Sequence, residues 1–205
     1  HLVAALPLRQ PTPAVSPSRS QMRTNRDNSL LLVIDIQRKL APHVAGHEQL
    51  IRRTEALLDA AGLFGIPKLL TEHCPAQIST VIEPLRSRFA AGQIFEKTCF
   101  GAADHRQFVA LVRQQGRARI VITGMEAHVC VMQTALGLRE HGFDVVVVAD
   151  AVGSREARQA DRELALRRMQ RAGCVLAGCE TVLFEWAGSG TDPQFRTLLS
   201  IVKSL

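Results

Sequence analysis

The chain has 205 residues and a formal net charge of +6; 46% of its residues are hydrophobic and 21% are charged, as in an ordinary globular domain. Only 4% are aromatic and Tyr is absent, so the sequence does not support recognition of nucleic acid by stacked aromatic side chains. No apolar run approaches the roughly 20 residues that a membrane-spanning helix needs. We therefore expect a small-molecule ligand, with neither nucleic acid nor membrane as a partner.

Residues 1–28 differ in composition from the rest of the chain, since they are rich in Pro, Ser and Arg. Their prolines stop any sustained helix, which predicts an N-terminal tail followed by one domain at residues 29–205. Several Arg and Ser with few acidic residues are also typical of an organelle-targeting peptide, although the prolines disfavour its amphipathic helix. The five cysteines include no Cys-x-x-Cys pair, which favours a reducing compartment, so we expect a cytoplasmic protein.

Six apolar runs predict the strands of the domain, and helical patterns lie between most of them. The runs are residues 30–36, 66–72, 93–97, 119–124, 144–150 and 174–178. Four glycines follow helical patterns at positions where helices commonly end: Gly62, Gly116, Gly142 and Gly173. This alternation predicts an α/β domain of three layers, with a parallel sheet between two layers of helices. Ligands of such sheets bind beyond the carboxyl ends of the strands.

Three chemically active side chains stand at those strand ends. Asp35 ends the first run, Lys97 ends the third, and Cys130 follows the fourth where a helical pattern begins. The helix start and Lys97 would favour the thiolate of Cys130, and Asp35 could take the thiol proton. Backbone N–H groups around Cys130 could bind a developing oxyanion. The set predicts hydrolysis of a carbonyl-type bond through a thioester intermediate.

Each of these residues also has an ordinary structural explanation. Cys130 fits a core position, Asp35 fits a helix cap, and Lys97 fits an exposed surface. Two other functions therefore stay open at this point. One is a non-catalytic binding or scaffold protein on the same fold. The other is a redox or metal sensor that uses Cys74, Cys99 and Cys130.

Four motifs, in this order, resemble the isochorismatase-like cysteine hydrolase superfamily. They are VIDIQ (33–37), EKTCFGA (96–102), GMEAHVCV (124–131) and VVVVADAVGSR (145–155). The TE-x-x-P element at residues 71–75 and the closing stretch 192–203 are most similar to the isochorismatase-domain-containing protein group. The resemblance implies a Rossmann-like parallel sheet of six strands in the order 3-2-1-4-5-6, and a homo-oligomer of two or more subunits.

The resemblance also implies roles for individual residues. Asp35, Lys97 and Cys130 become an Asp–Lys–Cys catalytic triad, called the triad below. A cis peptide is expected between Met125 and Glu126, and the N–H groups of Glu126 and Cys130 are expected to form an oxyanion hole. Four further residues adjoin the triad in sequence and are candidates for substrate contact: Gln37, Glu72, Phe100 and Gly101.

Departures from the superfamily narrow the expected chemistry. Nicotinamidases carry an Asp-x-His element with a further His for metal binding, but here Thr71 replaces the Asp, although His73 remains. We therefore expect no metal, no other cofactor and no nicotinamidase activity. True isochorismatases lack the cysteine, so its presence favours cleavage of a small amide-, ureide- or related C–N-bonded substrate.

Five other residues have predicted roles outside the triad. Either Cys74 or Cys99 could form a disulfide with Cys130 on oxidation and switch the site off. Cys174 and Cys179 are predicted to lie in the core, and Asp150 is predicted to cap a helix or loop.

Overall fold

The computed structural model describes residues 22–205, and its centre is one sheet of six parallel strands. The strands are β1 Ser29–Ile34, β2 Lys68–His73, β3 Ile94–Lys97, β4 Arg119–Met125, β5 Asp144–Gly153 and β6 Val175–Ala177. Their order across the sheet is β3-β2-β1-β4-β5-β6, and every neighbouring pair is parallel. The predicted fold class and strand order are confirmed. β5 runs beyond its predicted end at residue 150, past a register irregularity opposite 122–124 of β4.

Helices cover both faces of the sheet and give the three predicted layers. They are α1 His47–Phe64, α2 Pro75–Ile78, α3 Glu83–Arg86, α4 Arg106–Gln114, α5 Met132–Glu140, α6 Gln159–Arg171, α7 Cys179–Ala187 and α8 Phe195–Val202. The apolar core on one face is formed with α1, α7 and α8, and the core on the other face with α4, α5 and α6. Every residue of β1 and β4 is buried because both faces are covered, which explains why their sequences are continuous apolar runs.

One of the four predicted helix ends is wrong. Gly116, Gly142 and Gly173 adopt a left-handed conformation just after helices, as predicted. Gly62 instead lies inside α1, which ends at Phe64 and is capped by Gly65 with φ 66°. The Gly65 N–H bonds back to the carbonyls of residues 61 and 62, so the second glycine supplies the left-handed turn and α1 continues to Phe64.

The folded region begins before residue 29, where the sequence placed the domain boundary. The Arg26 guanidinium donates hydrogen bonds to the carbonyls of Trp186 at 2.9 Å and Ala187 at 2.7 Å. It also pairs with Asp192 at 2.6 Å and lies 4.2 Å from the Phe64 ring centroid. Residues 24–28 are attached by polar contacts rather than by an apolar run, so hydrophobic patterning could not detect them. The rest of the predicted tail, residues 1–21, lies outside the described residues. Within residues 22–205, no helix is both long and apolar enough to cross a membrane.

Candidate active site

The three triad side chains converge at the carboxyl ends of the strands. Asp35 follows β1, Lys97 is the last residue of β3, and Cys130 lies in the π-helical segment Ala127–Val131 between β4 and α5. Lys97 Nζ lies 2.7 Å from Asp35 Oδ2, although β2 separates their strands. Asp35, Lys97 and Cys130 are only 1%, 2% and 7% exposed. Asp35 and Lys97 thus form a buried ion pair, and Lys97 is not a surface lysine.

Two neighbouring groups hold the Asp35 carboxylate. Thr71 donates its hydroxyl hydrogen bond to Asp35 Oδ1 at 2.7 Å, while Lys97 occupies Oδ2. The Asp35 backbone is in the left-handed region with φ 50°, a conformation that Asp tolerates better than most residues. Thr71 is the residue that stands where nicotinamidases carry an Asp. In this chain it acts as a hydrogen-bond donor to Asp35, which a second carboxylate could not do.

Lys97 is held by two carbonyls and by the Asp35 carboxylate. Its Nζ donates hydrogen bonds to the carbonyls of Cys99 at 3.2 Å and Phe100 at 3.0 Å, and it forms an ion pair with Asp35. The two carbonyls accept from the ammonium group and Asp35 supplies the opposite charge, so the site favours the charged form of Lys97. The turn after β3 therefore holds a positive charge beside the Asp35 carboxylate.

The Cys130 thiol keeps its proton in this structure. Burial first, and then the negative charge of Asp35, raise the pKa of Cys130 to about 12, while the positive charge of Lys97 acts in the opposite direction. The raised pKa therefore opposes the effect of the helix start and of Lys97, which favour the thiolate. A thiolate would place a second negative charge beside Asp35, with one cation for two anions in buried surroundings. Cys130 belongs to the π-helical segment Ala127–Val131, which continues directly into α5 at Met132, so the thiol lies at the start of a helical segment as predicted.

The backbone that carries Cys130 is constrained on both sides. The peptide bond between Met125 and Glu126 is cis, the isomer that the motif resemblance implied. A side chain at Gly124 would overlap the Ile34 carbonyl of β1, so glycine permits the close approach of β1 and β4. The Glu126 carboxylate accepts hydrogen bonds from the backbone N–H and the Nε of Arg155, both at 3.0 Å. The oxyanion roles of Glu126 and Cys130 remain predictions.

Two of the four residues predicted to contact substrate have buried side chains that are hydrogen bonded to the protein itself, and their substrate contacts remain predictions. The Gln37 side chain is fully buried and pairs with both backbone groups of His73, at 2.8 and 2.9 Å. Glu72 is also fully buried and accepts from the Val81 N–H at 2.8 Å and from Arg86 at 2.9 Å. Both predictions came from proximity along the chain. Side chains alternate along a strand, so Glu72 faces away from the side that Thr71 shares with His73.

The other two candidates lie in the turn that holds Lys97. The Phe100 ring is 50% exposed and stacks on the His73 ring, with the ring centroids 5.1 Å apart. Gly101 is buried, and a side chain there would press against the Asp104 carboxylate. His73 also lies at the site. The sequence alone suggested for it only the role of a metal ligand whose partner ligands are missing. Its register opposite Lys97 is the signal that identifies it.

The cysteines and acids outside the triad follow the predictions in part. All five cysteines are free, so the structure contains no disulfide to Cys130. Cys174 and Cys179 are buried as predicted, and burial raises their pKa values to about 11 and about 12. Asp150 accepts a hydrogen bond from the Cys179 N–H at 2.8 Å, which confirms it as the cap of α7. Among residues 22–205, no group of three His, Cys, Asp or Glu residues is arranged to hold a metal.

Comparison with known proteins identifies the family to which the chain belongs. The model of the isochorismatase domain matches residues 29–181. The chain belongs to the isochorismatase family. Isochorismatase domain-containing protein 2 from Bos taurus is 34% identical over 176 residues, which cover 86% of this chain and 83% of that relative. This match agrees with the group that the motifs indicated, and the chain has the hydrolase fold of the isochorismatase family.

Two solved structures of isochorismatase-family folds are similar to this one. The MAR1 ribonuclease from Caenorhabditis elegans superposes with a TM-score of 0.81 at 32% identity, covering 88% of this chain and 92% of that one. The YcaC gene product from Escherichia coli superposes with a TM-score of 0.79 at 25% identity, covering 91% and 99%. YcaC is described as an octameric hydrolase of unknown specificity.

Proposed function

We propose that this isochorismatase-family chain hydrolyses a C–N bond of a small amide or ureide through a thioester on Cys130. The observation that carries the proposal is the buried ion pair between Lys97 and Asp35, at 2.7 Å, beside the Cys130 thiol. Burying two charges is unfavourable unless they are paired, and a scaffold protein has no need for them at the same strand edge as a thiol. This arrangement is suited to a nucleophile with an adjacent base.

The first half of the reaction forms the thioester. Asp35 takes the thiol proton while the Cys130 sulfur attacks the substrate carbonyl carbon, which forms the C–S bond. Backbone N–H groups of Glu126 and Cys130 hold the resulting oxyanion. The C–N bond then breaks, and the protonated Asp35 gives its proton to the leaving nitrogen. The net charge of the triad does not change when the proton moves to Asp35, so the raised pKa of Cys130 does not prevent this transfer.

The second half releases the acyl group. Asp35 takes a proton from water as the water oxygen attacks the thioester carbonyl carbon. The C–S bond breaks, the acid product leaves, and the proton on Asp35 returns to the sulfur. Lys97 stays charged throughout and stabilises the single negative charge that Asp35 and Cys130 share. The half-exposed Phe100 ring is the proposed apolar wall for the substrate.

An activity screen with a nucleophile variant tests the proposal. Small amides, ureides and carbamoyl compounds are incubated with the wild-type chain, and RNA is included because the similar C. elegans protein is named a ribonuclease. We expect turnover of a C–N-bonded compound, reduced at least about a thousandfold in Cys130→Ala. The matched control is Cys174→Ala, since Cys174 is also buried but lies outside the site. Turnover that survives in Cys130→Ala, or cleavage of RNA alone, would contradict the proposal.

We also propose that the chain is a homo-oligomer. The proposal is supported by the octameric YcaC hydrolase, whose fold this chain shares along 91% of its length. Static light scattering of the purified protein is expected to give at least twice the 22.5 kDa of one chain. A mass of one chain over the micromolar range would contradict it.

A further inference from the structure

His73 lies next to the triad, on the same side of the sheet as Lys97. It is the last residue of β2 and is paired in register with Lys97 of the neighbouring parallel strand. Paired residues of parallel strands point their side chains to the same face, so the imidazole and the lysine side chain are adjacent. The Gln37 amide is hydrogen bonded to both backbone groups of His73, which fixes the backbone from which the ring projects.

The His73 ring contacts the turn whose carbonyls hold Lys97. It stacks on Phe100 with the rings 28° from parallel, and the Cys99 carbonyl acts on the ring by raising the pKa of the imidazole. Those same carbonyls, of Cys99 and Phe100, accept hydrogen bonds from Lys97 Nζ. The imidazole and the ammonium group therefore hold one turn from two sides.

We propose that His73 is a positioning residue that braces the Cys99–Phe100 turn and thereby fixes the Lys97 ammonium beside Asp35. The proposal rests on the proposed function, because its consequence is the reactivity of Cys130. His73 does not touch the reacting atoms; it acts through the turn and through Lys97.

The bracing requires a neutral imidazole. Burial lowers the pKa of His73, the Lys97 charge lowers it further, and Asp35 and the bond to the Cys99 carbonyl act in the opposite direction. His73 Nδ1 is also buried with no hydrogen-bond partner among the described residues. Protonation would create a buried N–H without an acceptor, which is unfavourable. The charged groups that act on the ring are Lys97 and Asp35.

Protonation of His73 is expected to slow the reaction of Cys130 at acid pH. A charged imidazole would repel the Lys97 ammonium, and it would stabilise the Asp35 carboxylate, which then accepts the thiol proton less readily. Because the folded pKa of His73 is lowered, the unfolded chain takes this proton first. The free energy of unfolding therefore also falls as the pH drops below about 6.5, and reactivity must be measured while the protein is still folded.

The test measures the rate at which iodoacetamide alkylates Cys130, by mass spectrometry of the Cys130 peptide, between about pH 5 and pH 8. The variants are His73→Gln, which keeps an N–H donor without a titrating ring, and His73→Phe, which keeps the stack on Phe100. His141→Gln is the matched control, since His141 follows α5 at the opposite end of the helix from the site. We expect the wild-type rate to fall at acid pH, and this fall to be absent in both His73 variants. His73→Ala, which loses stack and donor, should lower the rate at neutral pH about tenfold.

Three outcomes overturn the positioning role. If the alkylation rate still falls at acid pH in both His73 variants, the fall is due to a titratable group other than His73. A rate that rises as His73 protonates means that its charge acts on the thiol directly. An equal loss at every pH means that the ring only supports the fold. These outcomes differ from failure of the proposed function, in which wild-type Cys130 would already react no faster than Cys174 at neutral pH.

Discussion

Asp35→Asn is expected to lower the free energy of unfolding by about 3–5 kcal/mol, because it leaves the Lys97 ammonium buried without its anion. Asn keeps the size of Asp35 and can still accept the Thr71 hydroxyl hydrogen bond, so the packing changes little. The loss therefore reports on charge rather than on a cavity. Lys97 remains bonded to two carbonyls, which hold an ammonium group but do not neutralise it.

Urea unfolding followed by fluorescence gives the measurement, since Trp186 is the single tryptophan and is buried. The matched variant is the double substitution Asp35→Asn with Lys97→Met, which removes both charges and leaves a side chain of similar length at 97. Replacing a buried ion pair by uncharged groups is often neutral, so we expect most of the lost stability to return. A double variant less stable than Asp35→Asn alone would show that the two charges do not act as a pair.

The sequence was sufficient to place the triad, because its members stand at the ends of apolar runs. The ends of parallel strands meet at one edge of the sheet, so Asp35, Lys97 and Cys130 could be grouped without knowing any strand boundary closely. The contact between Lys97 and Asp35 was less certain, since β2 lies between β3 and β1. Only the length of the lysine side chain lets it cross that strand.

The direction of side chains near the strand ends could not be obtained in this way. Glu72 and His73 are adjacent in sequence, yet Glu72 pairs with Arg86 while His73 stacks on Phe100. Alternation along β2 separates them, and the register with β3 then brings His73 to Lys97. Neither the register nor the exact end of β2 is fixed by an apolar run. For this reason Glu72 was predicted to contact substrate, and His73 was assigned no role at the site.

The protonation state of Cys130 could not be obtained from the sequence, for an energetic reason. Sequence position suggested a helix start and a nearby lysine, both of which favour a thiolate. The structure adds near-complete burial and the Asp35 charge, which together outweigh them and raise the pKa of Cys130 to about 12. Burial and the distances between charges decide such a balance, and they exist only in the folded chain.

A thiol activated by proton transfer to Asp35 is expected to react at a rate that hardly changes between about pH 7 and pH 9. The thiol with ionised Asp35 and the thiolate with protonated Asp35 contain the same number of protons, so their ratio does not depend on pH. For a thiol that must lose its proton to water, the rate rises about tenfold for each unit by which the pH increases, as long as the pH is below the pKa of the thiol. For a pKa of about 12, such a thiol would be almost unreactive at neutral pH.

Alkylation of Cys130 by iodoacetamide separates the two cases. We expect a flat pH profile in the wild-type chain, at a rate at least about a hundredfold above that of buried Cys174 at pH 7. The double variant Asp35→Asn with Lys97→Met keeps the thiol but removes the proton acceptor, so its rate should be low and should rise about tenfold per pH unit. A wild-type profile with that same slope would mean that Asp35 does not take the proton. Cys130 would then be a buried thiol without an active base, which is the behaviour expected of the binding or scaffold alternative.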